Sequence, residues 1–191
     1  MLNIVIDGKR QIGRTSPFLF GQNLEHFRNI IYGGIFDENS RLSDKRGFRL
    51  DVLEALRKIR PGILRWPGGC FASSYHWENG VGPKNERPIV YDYAWGAEEN
   101  NRFGTDEFIE YCQAVGAEPY ITVNATSGTS EEAARWVEYC NLKGNTYYAQ
   151  SRKNNGYLKP HNVKYWSIGN EDWGDSIYAK KCRETARLMK R

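Results

Sequence analysis

Short apolar runs alternate along the chain with segments whose apolar side chains recur at helical spacing. The runs, which are typical of buried strands, cover residues 18–26, 63–66, 119–124 and 163–168. The helical segments cover residues 48–59, 105–115 and 129–140 and the stretch that begins at Ser176. The clearest of them places Val52, Leu53 and Leu56 on one face of a helix. The pattern therefore predicts four strand–helix pairs in succession.

Turn and capping residues mark the ends of these predicted elements. Pro61 stops the first helix, and Thr105 is placed to cap the second helix, which Gly116 ends. Thr129 and Glu132 have the spacing of a capping box at the start of the third helix.

Three segments lie outside this repeating pattern. Residues 1–12 predict a small hairpin, because apolar Leu2, Ile4 and Ile6 alternate before Asp7-Gly8, a favoured turn, and we expect this segment to join a sheet outside the main domain. Residues 70–101 are rich in Tyr, Trp and Gly and predict a long functional loop. Residues 143–160 predict a polar connection.

Strands that alternate with helices are typical of a parallel sheet covered by crossover helices. A doubly wound sheet and a (β/α)8 TIM barrel share this pattern, but no Gly-rich phosphate loop follows the first strand. Polar residues end all four strands, as they do around the mouth of a barrel. We therefore expect an α/β fold of TIM-barrel type, represented by its first four βα units. On this interpretation residues 1–16 form an N-terminal β segment and residues 17–191 form the N-terminal half of the barrel domain.

The composition is that of an ordinary globular protein apart from its aromatic content. Hydrophobic residues make up 40% of the chain and charged residues 26%, which argues against a disordered or fibrous chain. Aromatic residues reach 14%. Exposed aromatic rings stack on the apolar faces of sugars. A large aromatic core would raise the fraction equally, so both interpretations stay open.

The positive charge is concentrated in the last predicted helix. Of the net charge of +4, residues 176–191 carry +5, from six basic side chains against Glu184, which leaves −1 for the rest of the chain. A basic helix can bind nucleic acid. Tyr178, Cys182 and Met189 form an apolar stripe on this helix, which favours an amphipathic helix with a solvated basic face. We expect no nucleic-acid partner.

The cysteines and histidines do not have the spacing of metal ligands. Cys112, Cys140 and Cys182 each fall on the apolar stripe of a predicted helix and are expected to be buried free thiols. We expect neither a metal nor another cofactor. No apolar run approaches the length of a membrane span, and the first residues lack the apolar core of a secretory signal. We therefore expect a cytoplasmic protein with no membrane partner.

The stretch Val163–Gly174 carries the strongest chemical signal in the chain. It opens as a β-rich run and places Asn170 and Glu171 at the end of the fourth predicted strand, near Trp166 and Trp173. A carboxyl group beside an amide at the carboxyl end of a barrel strand suits acid–base chemistry on a sugar. The alternative is that Glu171 caps the next helix, because acidic residues favour first turns.

Six motifs occur in an order that resembles one family of enzymes. They are Gly-Gln-Asn-Leu-Glu-His at 21–26, Leu-Arg-Trp-Pro-Gly-Gly at 64–69, Tyr-His-Trp-Glu-Asn-Gly-Val-Gly-Pro at 75–83, Ala-Trp-Gly at 94–96, Phe-Gly-Thr-Asp-Glu-Phe at 103–108 and Ile-Gly-Asn-Glu at 168–171. Together they resemble the glycoside hydrolases of family 51, which are mostly α-L-arabinofuranosidases. The resemblance implies a retaining hydrolase on a TIM barrel, with an acid/base Glu after strand four and a nucleophile Glu after strand seven.

The resemblance also implies roles for five side chains. Glu171 matches the acid/base, and Asn170 matches the amide that hydrogen-bonds the 2-hydroxyl group of the sugar. Glu25 and Arg65 match groups that orient the furanose, with a buried ion pair as the alternative. Trp95 resembles the aromatic residue that lines the leaving-group subsite, with core packing as the alternative.

Other positions near these motifs are assigned with open alternatives. Cys70 stands where the motif more often has Asn, and it is kept as a substrate-binding position. Asn124, at the tip of the third strand, is a substrate-binding candidate, although a buried amide that satisfies loop carbonyl groups would look the same. His76 and Trp77 are expected either to shape the pocket floor or to belong to the core.

The chain is shorter than the family resemblance requires. A full barrel needs roughly 250 residues, and the chain has 191, so the strand of the nucleophile is missing. A retaining mechanism needs two carboxyl groups about 5–5.5 Å apart. We therefore expect an inactive fragment of an enzyme that removes α-L-arabinofuranosyl residues from saccharides, either oligomeric or lacking its C-terminal half. A non-catalytic carbohydrate-binding half-barrel and a β-glucan or xylan hydrolase of related fold are the alternatives.

Overall fold

Four parallel strands form the main sheet of the computed structural model, which describes residues 3–172 and 174–190. The strands of both sheets, in chain order, are β1 (Gln22–Asn23), β2 (Ile63–Trp66), β3 (Val90–Asp92), β4 (Ala97–Glu99), β5 (Glu118–Val123) and β6 (Tyr165–Ile168). The main sheet has the order β1-β2-β5-β6, and each neighbouring pair is parallel. Strands β3 and β4 form a separate antiparallel hairpin.

Helices follow each strand of the main sheet, as the alternating pattern predicts. The α-helices are α1 (Leu50–Ile59), α2 (Thr105–Val115), α3 (Ser130–Asn141), α4 (Tyr147–Asn154) and α5 (Ser176–Met189). Single 3₁₀ turns occupy Pro17–Phe20, Cys70–Ser73 and Trp77–Gly80. The α/β class with a parallel sheet is therefore confirmed. No helix within the described ranges is long and apolar enough to cross a membrane.

One of the two predicted helix caps is confirmed and the other is wrong. The Thr129 hydroxyl accepts from the Glu132 amide at 3.0 Å, and the Glu132 carboxylate accepts from the Thr129 amide at 3.4 Å, as in a capping box. Thr105 is instead the first residue of α2, and its hydroxyl accepts a 3.0 Å hydrogen bond from the Trp136 indole. Gly104 occupies the cap position and donates to the Glu107 carboxylate at 2.9 Å.

The first strand is much shorter than its apolar run predicts. Ser16 accepts from the Phe18 amide at 3.2 Å, and Pro17 occupies the first position of a 3₁₀ turn. Proline lacks the amide hydrogen that a strand would use and is preorganised for a first helical turn. Only Gln22–Asn23 then pairs with β2.

The predicted N-terminal hairpin is wrong over residues 3–12; residues 1 and 2 lie outside the described ranges. The turn itself forms, because the Arg10 amide donates to the Asp7 carbonyl at 3.1 Å. No strand flanks this turn within residues 3–12, and Ile4, Ile6 and Ile12 are exposed. An isolated two-stranded hairpin is only marginally stable in water. Apolar side chains that alternate along such a segment stay exposed unless another layer of the protein covers them.

Eleven aromatic side chains are buried in the hydrophobic core. The Trp66 ring stacks on Phe108 at 5.1 Å and meets Trp136 edge-on at 5.9 Å, measured between ring centroids. Trp77, which also stacks on Trp136 at 5.8 Å, is buried and belongs to this core. Cys112 and Cys140 are buried free thiols, as predicted, whereas Cys182 is only half-buried.

Helix α4 lies in the segment that was predicted to be a polar connection. Its sequence shows little amphipathic periodicity, and the buried Arg152 bonds it to the neighbouring segments. Arg152 is fully buried and donates to the carbonyl groups of Tyr139, Leu142 (2.9 Å) and Tyr157 (3.2 Å). This single guanidinium therefore joins the end of α3 to α4 and to the chain after it.

We expect Arg152→Ala to lower the free energy of unfolding by about 3 kcal/mol or more, because three carbonyl groups lose a charged donor. Arg183→Ala is the control, since Arg183 is exposed on α5, and we expect a change within about 0.5 kcal/mol. Urea denaturation of both variants measures the difference. Equal midpoints would contradict this role of Arg152.

Candidate active site

An open cleft of about 910 Å³ lies where the strands β2, β5 and β6 end. One wall comes from residues 70–79 after β2, and a second from residues 90–94 and Glu99 of the β3–β4 hairpin. The loops after β5 and β6 supply Thr126, Ser127 and residues 170–172. In parallel sheets the carboxyl ends of the strands are where ligands bind.

Glu171 lies in this cleft with its carboxyl group exposed. Its φ of 51° is in the left-handed region, which is uncommon for a residue other than glycine and is often found at functional positions. The Cys70 thiol donates to its Oε2 atom at 3.5 Å. Burial and the adjacent Glu171 raise the pKa of Cys70, so the thiol remains a donor. The alternative of a helix cap is wrong, because Asp175 caps α5 by accepting from the Tyr178 amide at 2.8 Å.

Arg65 connects Asn170, which follows β6, to β1 at the opposite edge of the sheet. Its Nη2 atom donates to the Asn170 side-chain oxygen at 2.9 Å, and its Nη1 atom donates to the Asn23 oxygen at 3.3 Å. With its oxygen held, the Asn170 amide has a fixed orientation. Its Nδ2 atom is buried and has no hydrogen-bond partner among the described residues. The amide therefore keeps an unused donor beside Glu171.

Glu25 and Arg65 do not form the ion pair that was the alternative to sugar binding. Within residues 3–172 and 174–190, no ion pair joins these two side chains. The Glu25 carboxylate instead accepts from the Phe71 amide at 3.3 Å and from the Trp95 indole at 3.2 Å. A Cβ atom on Gly68, whose φ is 139°, would lie 2.3 Å from Glu25 Cγ. Glycine is required there by both backbone conformation and space.

Trp95 is not a core residue. Its side chain is 40% exposed, its ring lies 4.2 Å from that of Phe27 between centroids, and its indole nitrogen reaches Glu25. The alternative of core packing is therefore wrong. The ring is held from one side by Phe27 and leaves part of its surface to solvent. Trp173, the other tryptophan near Glu171 besides Trp166, lies outside the described residues.

The Asn124 amide is fully engaged by its own loop. Its Nδ2 atom donates to the Tyr75 carbonyl (3.2 Å) and the Ser127 hydroxyl (2.8 Å). Its oxygen accepts from the Thr126 and Ser127 amides, both at 3.0 Å. Because both donors and both acceptor positions are used, the structure favours the alternative that the amide shapes the loop.

His76 belongs to the cleft wall and not to the core. It is exposed, lines the cleft, and its Nδ1 atom lies 3.0 Å from the Glu132 carboxylate. Glu132 is also the last member of the capping box at α3. The contact therefore joins the 70–79 wall of the cleft to the start of that helix. No group of three or more His, Cys, Asp or Glu within the described part of the chain is arranged to hold a metal ion.

A buried network that the sequence analysis missed fixes the β3–β4 hairpin to β2 and to the segment that follows β1. His26 Nδ1 lies 2.7 Å from Glu99 Oε2, and the Trp66 indole donates to His26 Nε2 at 3.0 Å. Since Nε2 accepts, Nδ1 carries the proton and donates to Glu99. Glu99 also accepts from the Tyr32 hydroxyl and from the Asn101 amide at 2.6 Å. His26 directly follows Glu25, but its partner is 73 residues away and no local pattern indicates it.

The carboxylate at the centre of this network has a lowered pKa. Burial acts to raise the pKa of Glu99, but the hydrogen bonds from His26 and Tyr32 outweigh it and hold the pKa below the ordinary value of 4.5. On the facing strand, burial raises the pKa of Asp92. The hairpin thus carries one carboxylate that favours ionisation and one that resists it.

We expect Glu99→Gln to remove stability at neutral pH and to lose this effect in acid. A carboxylate whose pKa is lower in the folded state stabilises the fold above its ordinary pKa, and the contribution disappears as the pH falls through the folded-state value. The difference in unfolding free energy between wild type and Glu99→Gln should therefore shrink below about pH 4.5. Urea denaturation from about pH 7 to about pH 3.5 measures it. Glu98→Gln, at the exposed neighbouring position, should show a difference near zero throughout, and identical profiles for the two variants would contradict the assignment.

Comparison with known proteins shows one consistent similarity. The family model described as "Alpha-L-arabinofuranosidase 1 domain" matches residues 55–191. A probable α-L-arabinofuranosidase C of Aspergillus flavus is 46% identical over 98% of this chain and 39% of its own length. An intracellular exo-α-L-arabinofuranosidase of Bacteroides ovatus is 46% identical over 82% of this chain and 31% of its own length.

Solved structures show the same similarity in three dimensions. The α-L-arabinofuranosidase of Thermotoga maritima, in complex with arabinose, has a TM-score of 0.87 and 55% identity over 90% of this chain and 37% of its own. The family 51 arabinofuranosidase of Xanthomonas axonopodis pv. citri has a TM-score of 0.91 and 38% identity over 96% of this chain and 39% of its own. This chain therefore spans between 31% and 39% of the length of these relatives.

Proposed function

This chain belongs to the α-L-arabinofuranosidase 1 domain family, within the arabinofuranosidases of glycoside hydrolase family 51, and on that premise we propose that it carries the acid/base half of a retaining active site. The enzyme removes α-L-arabinofuranosyl residues from arabinose-containing saccharides. The observation that carries this proposal is the exposed Glu171 carboxyl at the end of β6, beside the oriented amide of Asn170. We propose a cytoplasmic site of action, in line with the Bacteroides ovatus relative, whose name describes it as intracellular.

We propose that the four βα units are the first half of a (β/α)8 barrel within a domain of residues 17–191, and that residues 1–16 belong to an accessory β-domain. Arg65, on β2, bonds to Asn170, which follows β6 two strands away. Strands lie about 4.8 Å apart, so a flat sheet would place β6 about 9.6 Å from β2. A single side chain spans this gap more readily on the concave face of a curved sheet, as in a barrel.

In this proposal Glu171 acts twice. As an acid it gives its proton to the glycosidic oxygen as the bond to the arabinofuranosyl carbon breaks, and as a carboxylate it then takes a proton from the water that releases the sugar. The Cys70 thiol, which donates to Oε2, holds one carboxyl oxygen and leaves the other for the substrate. The left-handed backbone at Glu171 turns the side chain into the cleft instead of along the strand.

The nucleophile, we propose, lies in the part of the relatives' length that this chain does not span. The other carboxylates in the cleft are already engaged. Glu99 is buried and accepts from three donors. Asp92 is also buried and accepts from the Ala94 amide at 2.9 Å. Asp172 accepts from the Thr126 hydroxyl at 2.6 Å and from the backbone N–H of Asn170 at 3.2 Å. These contacts compete with attack on a sugar carbon.

The groups around Glu171 would orient the furanose ring. The unused donor of Asn170 suits the sugar 2-hydroxyl, a contact that strengthens in the oxocarbenium-like transition state. Arg65 holds that amide, and Glu25 offers a carboxylate oxygen to a sugar hydroxyl beside Trp95. Asn124 positions the loop after β5 and does not contact the substrate in this proposal, since its hydrogen-bonding capacity is used.

The test is hydrolysis by the 191-residue chain and by the longest protein that contains it in the same reading frame, each beside its Glu171→Gln variant. We expect the chain alone to show no rate above its variant. In the longer protein, kcat/KM should fall about 10²- to 10⁴-fold with an arabino-oligosaccharide. The fall should be smaller with 4-nitrophenyl α-L-arabinofuranoside, because nitrophenolate leaves with little help from an acid.

Three results would contradict parts of this proposal. A rate of the 191-residue chain that is lost in its variant would mean that a second carboxylate lies within these residues. Equal losses on both substrates would remove the acid role from Glu171. Sugar binding by the longer protein without any turnover would favour the alternative of a non-catalytic carbohydrate-binding protein.

We also expect the isolated chain to self-associate. Strands β1 and β6 form the edges of the main sheet, and unpaired edges and apolar surface promote pairing with other chains. Leu19→Lys, just before β1, should weaken the association, whereas Leu158→Lys, at an equally exposed site between α4 and β6, should not. Size-exclusion chromatography with light scattering measures this, and a sharp wild-type monomer with a cooperative melt would refute it.

A further inference from the structure

Two exposed tyrosines line the cleft that also contains Glu171. Tyr91 is 58% exposed and Tyr93 is 80% exposed, whereas Asp92 between them is buried. Tyr91 lies on β3 and Tyr93 lies in the turn that follows it, and neither ring is packed into the core. Their ring centroids lie 5.1 Å apart in an edge-to-face arrangement, and both rings line the same cleft as Glu171.

Hydrogen bonds fix both strands of the β3–β4 hairpin that carries these rings. On β4, Glu99 accepts from His26 and Tyr32 of the preceding segments. On β3, the Asp92 carboxylate accepts from the Ala94 amide at 2.9 Å and so fixes the turn between the strands. A ligand that uses the tyrosines therefore meets an arrangement that is already ordered, which lowers the entropic cost of binding.

We propose that Tyr91 and Tyr93 form a second sugar-binding subsite, which stacks on pentose rings of the leaving-group side of the saccharide. This inference rests on the function proposed above and adds a region of the site outside the Trp95 contact. Sugar rings present apolar C–H faces with hydroxyl groups at their edges, and a tyrosine presents an apolar ring with a hydroxyl at its tip. The two surfaces match in both respects.

The size and lining of the cleft support an occupant longer than one sugar. Sites for ligands much larger than a pentose have volumes of about 300–1,000 Å³, and this cleft has about 910 Å³. The 70–79 wall of the cleft presents His76 and Asn79, which can bond to hydroxyl groups of a sugar in the cleft. A lining of aromatic rings with a few polar side chains is typical of small-molecule sites.

The experiment is isothermal titration calorimetry of the 191-residue chain with L-arabinose, an α-1,5-linked arabino-oligosaccharide and a linear xylo-oligosaccharide. The variants are Tyr91→Ala, Tyr93→Ala and the pair. The matched control is Tyr147→Ala, because Tyr147 is 79% exposed on α4 and does not line the cleft. The two oligosaccharides distinguish an arabinan backbone from a xylan backbone as the source of the stacked rings.

We expect each single variant to weaken oligosaccharide binding about 2- to 10-fold, and the pair to weaken it further. The affinity for L-arabinose should stay unchanged, and Tyr147→Ala should behave as wild type. A general loss of structure would instead lower the affinity for L-arabinose as well.

Other results separate this inference from the proposed function. Unchanged oligosaccharide affinity in the double variant would overturn the subsite and leave the arabinofuranosidase proposal intact. Tyrosine-dependent binding of the xylo-oligosaccharide alone, without any binding of L-arabinose, would keep the subsite and count against the proposed function. If the tyrosine variants changed self-association and not sugar binding, the surface would be a protein contact and the subsite would be overturned.

Discussion

The hydrogen bonds of Arg65 are the constraint on which the candidate site depends. One guanidinium on the second strand holds Asn23 of the first strand and Asn170 after the last. A guanidinium group that donates to two side-chain amide oxygens fixes the orientation of both amides. It therefore sets where the backbone turns before Glu171, and with it the position of the carboxyl group that the proposed chemistry needs.

A second constraint comes from burying a carboxylate behind the cleft. Glu99 sits out of water and is stabilised only because His26, Tyr32 and a backbone amide all donate to it. Removing any of these donors leaves the buried charge with one hydrogen bond fewer and nothing in its place. The network therefore determines the place of the whole β3–β4 hairpin, and this hairpin carries Trp95 to Glu25 and the exposed tyrosines to the cleft. Core and site are joined through it.

The elements whose apolar residues follow a clear pattern were predictable from the sequence. The elements held by contacts between residues far apart in the chain were not. The periodic segments yielded α1, α2, α3 and α5 with their approximate ends, and the compact apolar runs yielded β2, β5 and β6. Helix α4 depends on the buried Arg152, whose three carbonyl partners lie in other segments. The β3–β4 hairpin depends on Glu99 in the same way. A local pattern contains no information about partners that only folding brings near.

The sequence by itself determined which residue types stand at the ends of the strands. The reason is that each motif is local and its polar residues come directly at the end of their own strand. It thus identified Glu171 and Asn170, which line the cleft, and Arg65 and Glu25, which bond to residues that line it. Only the tertiary structure decided what each polar group bonds to. It separated Glu25 from Arg65, occupied the Asn124 amide with its own loop, and assigned the helix cap to another residue. The physical reason is that a hydrogen bond depends on distances of a few tenths of an ångström, and the packing of elements far apart in the chain sets those distances.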